Sequence, residues 1–504
     1  MSKKIAAPAI DQIITDFIDY YIKTNRVDNN DRIYLTNRLL DLLDKKEIVA
    51  LMPLEENDQP LELLDKLTEY AVKHNVIDDL SSSQDVFGAK VMDLVTMRPS
   101  EVNQLFWEEY KKGPKWATDY FYEMSKENNY IKTREIAKNI EYTHQTEYGE
   151  LEITINLSKP EKDPKEIALA RQTKTNYPEC KLCMENEGYA GHLTHPGRAN
   201  HRLVRMDLNE EEWGFQYSPY AYYNEHAIFL SRIHREMDVG VQAIKNLLDI
   251  LTALPHYFVG SNAGLPIVGG SILSHDHYQG GLHTFPLEKA DADYSFELSQ
   301  SSNVETSVIK WPMSVIRLTS LDKKAVVQTA DKIMKMWEGY SDESVGIYAE
   351  VDGEPHNAVT PIARRKGEAF ELDLVLRNNR TSKELPDGIF HPHPPVQHIK
   401  KENIGLIEVM GLAILPPRLK DELQTVRDFL IERSSHVDAL HQEWADELKE
   451  KNEITEDNVN EIVDKAVGDV FLQVLKDAGV FKGDKDGKDA FRRFIDYLID
   501  KGSL

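Results

Sequence analysis

The sequence predicts an α+β fold in which mainly antiparallel sheets lie between helical regions at the two ends of the chain. Apolar residues recur at helical spacing before about residue 135 and again after about residue 420. In between, alternating or β-rich segments are separated by Gly and Pro, which is typical of short strands and turns. One order of strand, helix and strands occurs twice there, which favours two related lobes.

The first region, residues 1–135, is predicted to be helical. Its opening apolar residues lie three or four positions apart, as they do on one face of a helix: Ile10, Ile13, Ile14, Phe17, Ile18 and Tyr21. Residues 33–43 and 61–72 repeat this spacing. Several amphipathic helices are therefore expected in this region.

The first lobe, residues 136–304, is predicted to contain the chemistry. From Glu141 the pattern changes, and EYGELEITINL alternates between apolar and polar residues as a half-buried strand does. YNEHAIFLS is a further strand candidate, and residues 239–254 are a helix candidate. The segment HYFVGSNAGLPIVGGSILSHDHYQGGLHTF then predicts a strand, a Gly-rich loop and another strand.

The second lobe, residues 305–420, repeats this order. WPMSVIRLTS predicts a strand and residues 323–338 predict a helix, and further strands are expected in VGIYAEV, HNAVTPIARR and FELDLVLRN. The second copy has no H-x-H-x-Q, so a duplicated sheet with one catalytic centre accounts for the pattern. Coincidence between two α/β segments stays open as an alternative. A charged helical region, residues 421–504, follows.

Composition limits the possible partners. The length of 504 residues exceeds the roughly 250 to 300 at which one hydrophobic core stops growing, so several domains are expected. With 60 Lys and Arg against 85 Asp and Glu, the net charge of −25 repels nucleic-acid backbones and anionic membranes. No stretch approaches the ~18 apolar residues of a membrane span. We therefore expect no nucleic-acid partner and no membrane partner. The two cysteines cannot form a disulfide framework, which favours a reducing compartment, so a cytoplasmic location is expected.

The run SHDHYQGG carries the strongest chemical signal. His275 and His277 lie two positions apart, so on a strand they would share one face. A neutral imidazole attacks phosphorus well when its other nitrogen keeps a hydrogen-bond partner. Gln279 would lie on the same face and could donate its amide hydrogen to a phosphoryl oxygen. The Gly-rich loop before the run, residues 260–271, lets backbone N–H groups approach phosphate oxygens closely.

H-x-H-x-Q after a Gly-rich loop resembles the histidine-triad superfamily, specifically its galactose-1-phosphate uridylyltransferase branch. The segment ENIGLIEVMGLAILPPRL resembles the Gram-positive type of this family. The resemblance implies a duplicated, histidine-triad-like fold with two mainly antiparallel sheets and a homodimer. It also implies that UMP passes between UDP-glucose and galactose 1-phosphate through a uridylyl-histidine, with His277 as nucleophile and Gln279 as the second catalytic residue. No organic cofactor is expected.

The resemblance further implies a structural zinc site. Cys180 and Cys183, in YPECKLC, match the two-thiolate half of a zinc site in other branches, and His234 and His275 match its third and fourth ligands. Four protein ligands would leave no open position on the metal. The alternatives are a metal-free thiol pair, or a ligand from the histidines nearer in sequence: His192, His195 and His201. An iron site built on a histidine pair is not expected, because the matching strand, LDLVLRNN, contains none.

Four further residues are expected to bind substrate. Glu408, in IGLIEVMG, matches the position at which related enzymes hold the hexose hydroxyls, although a carboxylate there could also cap a helix or strand end. Tyr217 lies where relatives hold the uridine. Asn262 and Ser271 belong to the Gly-rich loop. His391 and His393, in IFHPHPPVQH, are interpreted as loop or substrate contacts.

Two other functions stay open. A dinucleoside polyphosphate phosphorylase or hydrolase would use the same nucleophile with a different acceptor. A non-catalytic, zinc-dependent nucleotide-binding protein would bind the nucleotide and leave it intact. No P-loop, H-E-x-x-H or G-x-S-x-G pattern competes with the histidine motif.

Overall fold

The structure is a computed structural model that describes residues 9–49, 59–158, 177–192, 194–270, 272–299 and 301–501. The chain divides into two compact units. Unit 1 comprises Met1–Thr133, Pro160–Met206 and Gly214–Pro219. Unit 2 comprises Arg134–Lys159, Asp207–Trp213 and Tyr220–Leu504. The finer four-part division expected from the sequence stays a prediction.

The N-terminal region is helical, as predicted. Its helices are α1 (Ala9–Lys23), α2 (Arg32–Leu42), α3 (Pro60–Lys73), α4 (Ser81–Asp93), α5 (Pro99–Tyr110), α6 (Pro114–Glu127) and α7 (Thr133–Ile136). The apolar stripe of α1 is buried through Ile14, Phe17 and Ile18, in one cluster with Leu39 of α2 and Leu67 of α3. Helices α3, α5 and α6 start with proline, whose missing N–H costs nothing at a first helical position.

The strands are β1 (Ile140–Thr146), β2 (Gly149–Ile155), β3 (Val204–Leu208), β4 (Glu211–Tyr217), β5 (Ala227–Ser231), β6 (Phe258–Gly260), β7 (His277–Gly281), β8 (Ala292–Phe296), β9 (Glu305–Ile309), β10 (Val315–Ser320), β11 (Glu350–Val351), β12 (Glu354–Pro355), β13 (Asn357–Lys366), β14 (Ala369–Asn378) and β15 (Leu412–Leu415). Ten of them form one sheet in the order β3-β4-β5-β7-β6-β13-β14-β10-β9-β8. Every pair in it from β5 to β8 is antiparallel. Strands β1, β2 and β15 form a smaller sheet, and β11 pairs with β12.

The remaining helices are α8 (Val241–Ala253), α9 (Pro286–Lys289), α10 (Lys323–Glu338), α11 (Leu406–Val409), α12 (Leu419–Leu430), α13 (Gln442–Lys451), α14 (Val459–Ala478) and α15 (Lys485–Lys501). Helix α10 coincides with the predicted residues 323–338. The Asp322 side chain caps its start by accepting from two backbone N–H groups. One predicted strand was too long, because VGIYAEV contributes only the two residues of β11. Within the described ranges, no helix combines the length and apolar character that a membrane crossing requires.

The strand order confirms the predicted duplication. Outward from the central pair of β6 and β13, the sheet continues as β7-β5-β4-β3 on one side and β14-β10-β9-β8 on the other. Each half has a strand, a helix, a central strand and a neighbour: β5, α8, β6 and β7 in the first, and β10, α10, β13 and β14 in the second. The copies share one sheet instead of forming the two that were expected, because β6 pairs directly with β13.

The strand register shows what the second copy has in place of the histidine motif. Gln279 pairs with Gly260, Gly260 with Ile362, and Ile362 with Asp373. Directly paired residues lie on the same face of a sheet, so Asp373 shares the face of Gln279. Glu371, two positions earlier, shares the face of His277. The second copy therefore carries carboxylates on the face where the first carries its histidine motif.

These carboxylates belong to a buried ion-pair network. Asp373 Oδ1 lies 2.6 Å from Arg317 Nε, and Asp373 Oδ2 lies 2.9 Å from Arg364 Nη1. Arg364 Nη2 lies 2.6 Å from Glu371 Oε1. Burial alone would raise the pKa of Asp373, but the Arg364 and Arg317 charges outweigh it and hold this pKa below its ordinary value. The second copy thus uses this face for an internal structural contact.

We predict that Asp373→Ala lowers the free energy of unfolding by about 3 to 5 kcal/mol, because it leaves two arginines buried without their shared partner. Urea denaturation followed by far-UV circular dichroism measures this change. The matched control is Asp331→Ala, which removes a helical ion pair between Asp331 and the exposed Lys335 and should cost only about 0.5 kcal/mol. Equal effects of the two substitutions would contradict a stabilising role for the network.

Candidate active site

His277 is the first residue of β7 and is buried. Its Nδ1 lies 2.7 Å from the backbone carbonyl oxygen of His275. A carbonyl can only accept, so Nδ1 carries the hydrogen and Nε2 keeps its lone pair. Burial lowers the pKa of His277 to about 4, which favours the neutral ring that a nucleophile requires. His275 itself precedes the strand, so the two histidines do not alternate along one strand as the sequence suggested.

Glycines allow the backbone around β7 to lie close to neighbouring segments. Gly281 has φ +144°, and a Cβ built there would clash with the carbonyl oxygen of Glu225. A Cβ on Gly270 would lie 2.6 Å from Nδ2 of Asn262. Asn262 Oδ1 in turn accepts a hydrogen bond of 2.8 Å from the backbone N–H of Leu406, the first residue of α11. The Gly-rich loop is thereby attached to the start of that helix. Ser271 lies outside the described residues.

Gln279 is held by a residue that sequence reasoning missed. Its Oε1 lies 2.9 Å from Nε2 of His226, which directly precedes β5. Burial lowers the pKa of His226 to about 4. The two side chains lie 53 positions apart in sequence and meet only because β5 pairs with β7. No local pattern could have indicated this contact.

The four residues proposed as metal ligands come together. Cys180, Cys183, His234 and His275 each offer one ligand atom, and these atoms all lie within 4.8 Å of one another. This group could hold a metal ion. Of the alternative ligands nearer in sequence, His195 instead bonds Asn186 Oδ1 through its Nε2, and His201 bonds Gln216 Oε1 in the same way.

The surroundings of this group favour a metal as well. The backbone N–H of Cys180 donates to Sγ of Cys183, and the N–H of Leu182 donates to Sγ of Cys180, both at 3.3 Å. His275 Nε2 lies 2.7 Å from the carbonyl oxygen of Ser231, which can only accept, so Nε2 carries the hydrogen. Nδ1 is then the nitrogen of this ring that can bind a metal. Burial raises the pKa of the Cys183 thiol to about 12, so a thiolate there needs a nearby cation.

Glu408 lies in α11 with both carboxylate oxygens engaged. Oε1 lies 2.9 Å from Lys400 Nζ, and Oε2 accepts from the backbone N–H of Gly405 at 3.2 Å. It therefore caps the start of α11, which was the alternative to hexose binding.

The other predicted substrate contacts also have partners within the chain. The hydroxyl of the buried Tyr217 donates to the carbonyl oxygen of Thr118 at 3.1 Å. The Tyr217 ring lies 5.2 Å from that of Phe121 in unit 1. His391 Nε2 lies 3.3 Å from Asn403 Oδ1. His393 Nε2 donates to the carbonyl oxygen of Ile389 at 2.9 Å.

Comparisons with known proteins identify the family of this chain. The family described as galactose-1-phosphate uridyl transferase matches through its N-terminal domain over residues 25–236 and through its C-terminal domain over residues 251–446. Among solved structures, the yeast Ap4A phosphorylase Apa2 is 13% identical, covers 66% of this chain and 92% of its own, and has a TM-score of 0.37. A TM-score this low does not establish a shared fold.

Curated proteins named galactose-1-phosphate uridylyltransferase match along nearly the whole chain. The protein of Ligilactobacillus salivarius is 53% identical over 96% of this chain and 98% of its own length. That of Streptococcus thermophilus is 52% identical over 97% and 99%, and that of Pediococcus pentosaceus is 55% identical over 93% and 95%. With this identity over almost the full length, and with both domains of the family matched, the chain belongs to the galactose-1-phosphate uridylyltransferase family.

Proposed function

We propose that this protein is an enzyme that transfers UMP from UDP-glucose to galactose 1-phosphate, giving UDP-galactose and glucose 1-phosphate. The observation that carries the proposal is His277, a buried imidazole with Nδ1 tied to a carbonyl and Nε2 left as the nucleophilic atom. The names of the relatives, at 52 to 55% identity, support the substrates.

In the first half-reaction, the lone pair of His277 Nε2 forms a bond to the α-phosphorus of UDP-glucose. The bond from this phosphorus to the bridging oxygen breaks, and glucose 1-phosphate leaves with that electron pair. The imidazolium of the uridylyl-enzyme is stabilised because Nδ1–H donates to the His275 carbonyl. Galactose 1-phosphate then attacks the same phosphorus and expels the imidazole. Each leaving group is a phosphate or a neutral imidazole, so no general acid is required.

Gln279 stabilises the charge that develops on the transferred group. Its Oε1 accepts from His226, so its Nε2 is the end of the amide that can donate to a phosphoryl oxygen. An uncharged donor favours the transition state without binding the anionic products tightly.

The metal of the Cys180, Cys183, His234 and His275 group is proposed to be zinc. Around a tetrahedral zinc, sulfur and nitrogen ligands lie roughly 3.3 to 3.8 Å apart, and the two Sγ atoms are 3.5 Å apart. The zinc, when bound, supplies a positive charge that keeps both thiols deprotonated. With four protein ligands, these residues leave it no open position for substrate. Their role is to fix His275, whose carbonyl orients the nucleophile.

The Gly-rich loop and Glu408 are proposed to bind the substrate. Asn262 and Ser271 are proposed to lie beside the phosphate groups of the bound substrate. Asn262 also attaches the Gly-rich loop to α11. Glu408 is proposed to accept hydrogen bonds from hexose hydroxyls through the lone pairs that Lys400 and Gly405 do not use. A uridine contact by Tyr217, a homodimer and a cytoplasmic location stay predictions.

The alternative functions differ from the proposed one in what accepts the nucleotide. A dinucleoside polyphosphate phosphorylase or hydrolase would pass the nucleotide to inorganic phosphate or water, and a non-catalytic binding protein would leave UDP-glucose intact. Exchange of label between glucose 1-phosphate and UDP-glucose, without galactose 1-phosphate, isolates the first half-reaction and excludes a non-catalytic binding protein. Comparing galactose 1-phosphate with inorganic phosphate and water as acceptors of the uridylyl group then distinguishes the transferase from the phosphorylase or hydrolase.

We predict that His277→Ala lowers this exchange by at least about 10⁴-fold, because the bond-forming atom is removed. In His277→Gly, added imidazole should enter the vacated space and receive the uridylyl group. The measurement is isotope exchange, with His356→Ala, a substitution outside the site, as the control. Near-normal exchange by His277→Ala would exclude His277 as the nucleophile.

We predict that the purified protein contains about one zinc per chain and that Cys180→Ser loses it together with thermal stability. Elemental analysis by mass spectrometry and thermal melting measure the two effects. His192→Ala, at a histidine near the cysteines in sequence but outside the ligand group, should keep its zinc. A fully active wild-type protein without metal would refute the zinc proposal.

We predict that Gln279→Ala slows formation and breakdown of the uridylyl-enzyme by about 100-fold to 1000-fold, as when one donor is removed from an oxyanion-type site. Rapid quench of a single turnover with radiolabelled UDP-glucose reports the intermediate directly. If Gln279 were only structural, stability would fall while the folded fraction kept both rates.

A further inference from the structure

We propose that His226 is a positioning residue that determines which end of the Gln279 amide faces the transferred phosphoryl group. The inference rests on the proposed function, because it concerns the donor that Gln279 supplies to that reaction. It starts from the chain of hydrogen bonds that runs from the backbone of Tyr222 through His226 to Gln279.

The tautomer of His226 is fixed by its backbone partner. The N–H of Tyr222 points at Nδ1 of His226 at 3.4 Å. A backbone N–H can only donate, so Nδ1 must keep its lone pair and the hydrogen of the neutral ring must lie on Nε2. The ring is buried and stacks on Tyr223 with centroids 4.5 Å apart. This ring therefore presents a donor to its other neighbour.

That neighbour is the Gln279 side chain, with Oε1 at 2.9 Å from His226 Nε2. An amide has one accepting end and one donating end. If it turned over, its NH₂ group would meet the N–H of His226, and the buried N–H of His226 would lose its hydrogen bond. The amide oxygen is thus held towards His226, and the NH₂ group is directed away from it.

This orientation decides whether the Gln279 amide attracts or repels the transferred phosphoryl group. An amide NH₂ attracts the phosphoryl oxygens, which gain negative charge in the transition state, whereas an amide oxygen would repel them. The opposite tautomer of His226 would accept from Gln279 and would turn the oxygen towards the phosphoryl group.

The segment that carries His226 is itself fastened to β7. The Tyr223 hydroxyl donates to the carbonyl oxygen of Gly280 at 3.1 Å, and the N–H of Leu282 donates to the carbonyl oxygen of Asn224 at 3.2 Å. Because these bonds reach the strand that carries Gln279, His226 and Gln279 keep a fixed spacing. A fixed spacing of this kind is what a residue that orients the Gln279 amide requires.

The test is a double-mutant cycle on the full-length protein, read by the single-turnover rate of uridylyl-enzyme formation from UDP-glucose. His226→Phe keeps a ring and removes the donor. It should slow the step by about 10-fold in the wild-type background, with little change in KM for UDP-glucose. In the Gln279→Ala background it should cause no further loss, since the residue through which it acts is gone. His226→Gln, which restores an N–H donor, should recover most of the rate.

Equal losses from His226→Phe in both backgrounds would overturn the proposal, because a merely structural residue acts independently of Gln279. A wild-type rate in His226→Phe would overturn it as well. His356→Phe, the same change at a histidine bonded to Asn379, is the matched control and should leave the rate unchanged.

A second measurement needs no activity from the variants. Nitrogen-15 NMR of the wild-type protein with labelled histidine, assigned with His226→Gln, reports the tautomer of His226 directly. Hydrogen on Nε2 is expected, and hydrogen on Nδ1 would overturn the proposal. Failure of the proposed function looks different: the wild-type protein would then form no uridylyl-enzyme, whatever the tautomer.

Discussion

Strand β7 lies inside the ten-stranded sheet between β5 and β6, and the proposed chemistry depends on this position. Hydrogen bonds to both neighbours fix the register, with His277 opposite Leu230 and Gln279 opposite Gly260. A shift by one residue would turn the side chains of His277 and Gln279 to the other face of the sheet. A shift that placed Leu282 at the position of Gly281 would also bring its Cβ against the carbonyl oxygen of Glu225.

Backbone groups also decide the protonation pattern of the site. His277 Nδ1 faces the His275 carbonyl, His275 Nε2 faces the Ser231 carbonyl, and His226 Nδ1 faces the Tyr222 N–H. A carbonyl only accepts and an amide N–H only donates, so each neutral ring has one permitted tautomer. In the proposed mechanism the three rings consequently take different roles: a nucleophile, a metal ligand and a hydrogen-bond donor. One residue type serves all three because the backbone around each ring differs.

The two copies of the fold show how one topology supports different tasks. In the first copy the face of β7 carries His277 and Gln279, whereas the matching face of β14 carries Glu371 and Asp373, paired with arginines. A reactive group needs a nitrogen left available to substrate, while a buried charge needs every partner satisfied. One strand face cannot meet both requirements, and in this fold they fall on different strands, β7 and β14.

The sequence alone determined the elements whose signals are local. Helical spacing predicted the terminal regions, residues 323–338 form one helix as predicted, and H-x-H-x-Q indicated the family. These patterns are readable because a helix or a strand repeats over a few residues, whichever fold surrounds it. The repeated order of strands and helices was readable for the same reason.

Only the tertiary structure decided how distant segments meet. It joined the two copies through β6 and β13, brought His234 to the two cysteines, and placed His226 against Gln279. It also showed Glu408 capping α11 and the Tyr217 hydroxyl bonded to Thr118. Such contacts join residues tens to more than a hundred positions apart. They depend on strand pairing and on whether each buried neighbour is a hydrogen-bond donor or acceptor. Neither property produces a repeating pattern in the sequence.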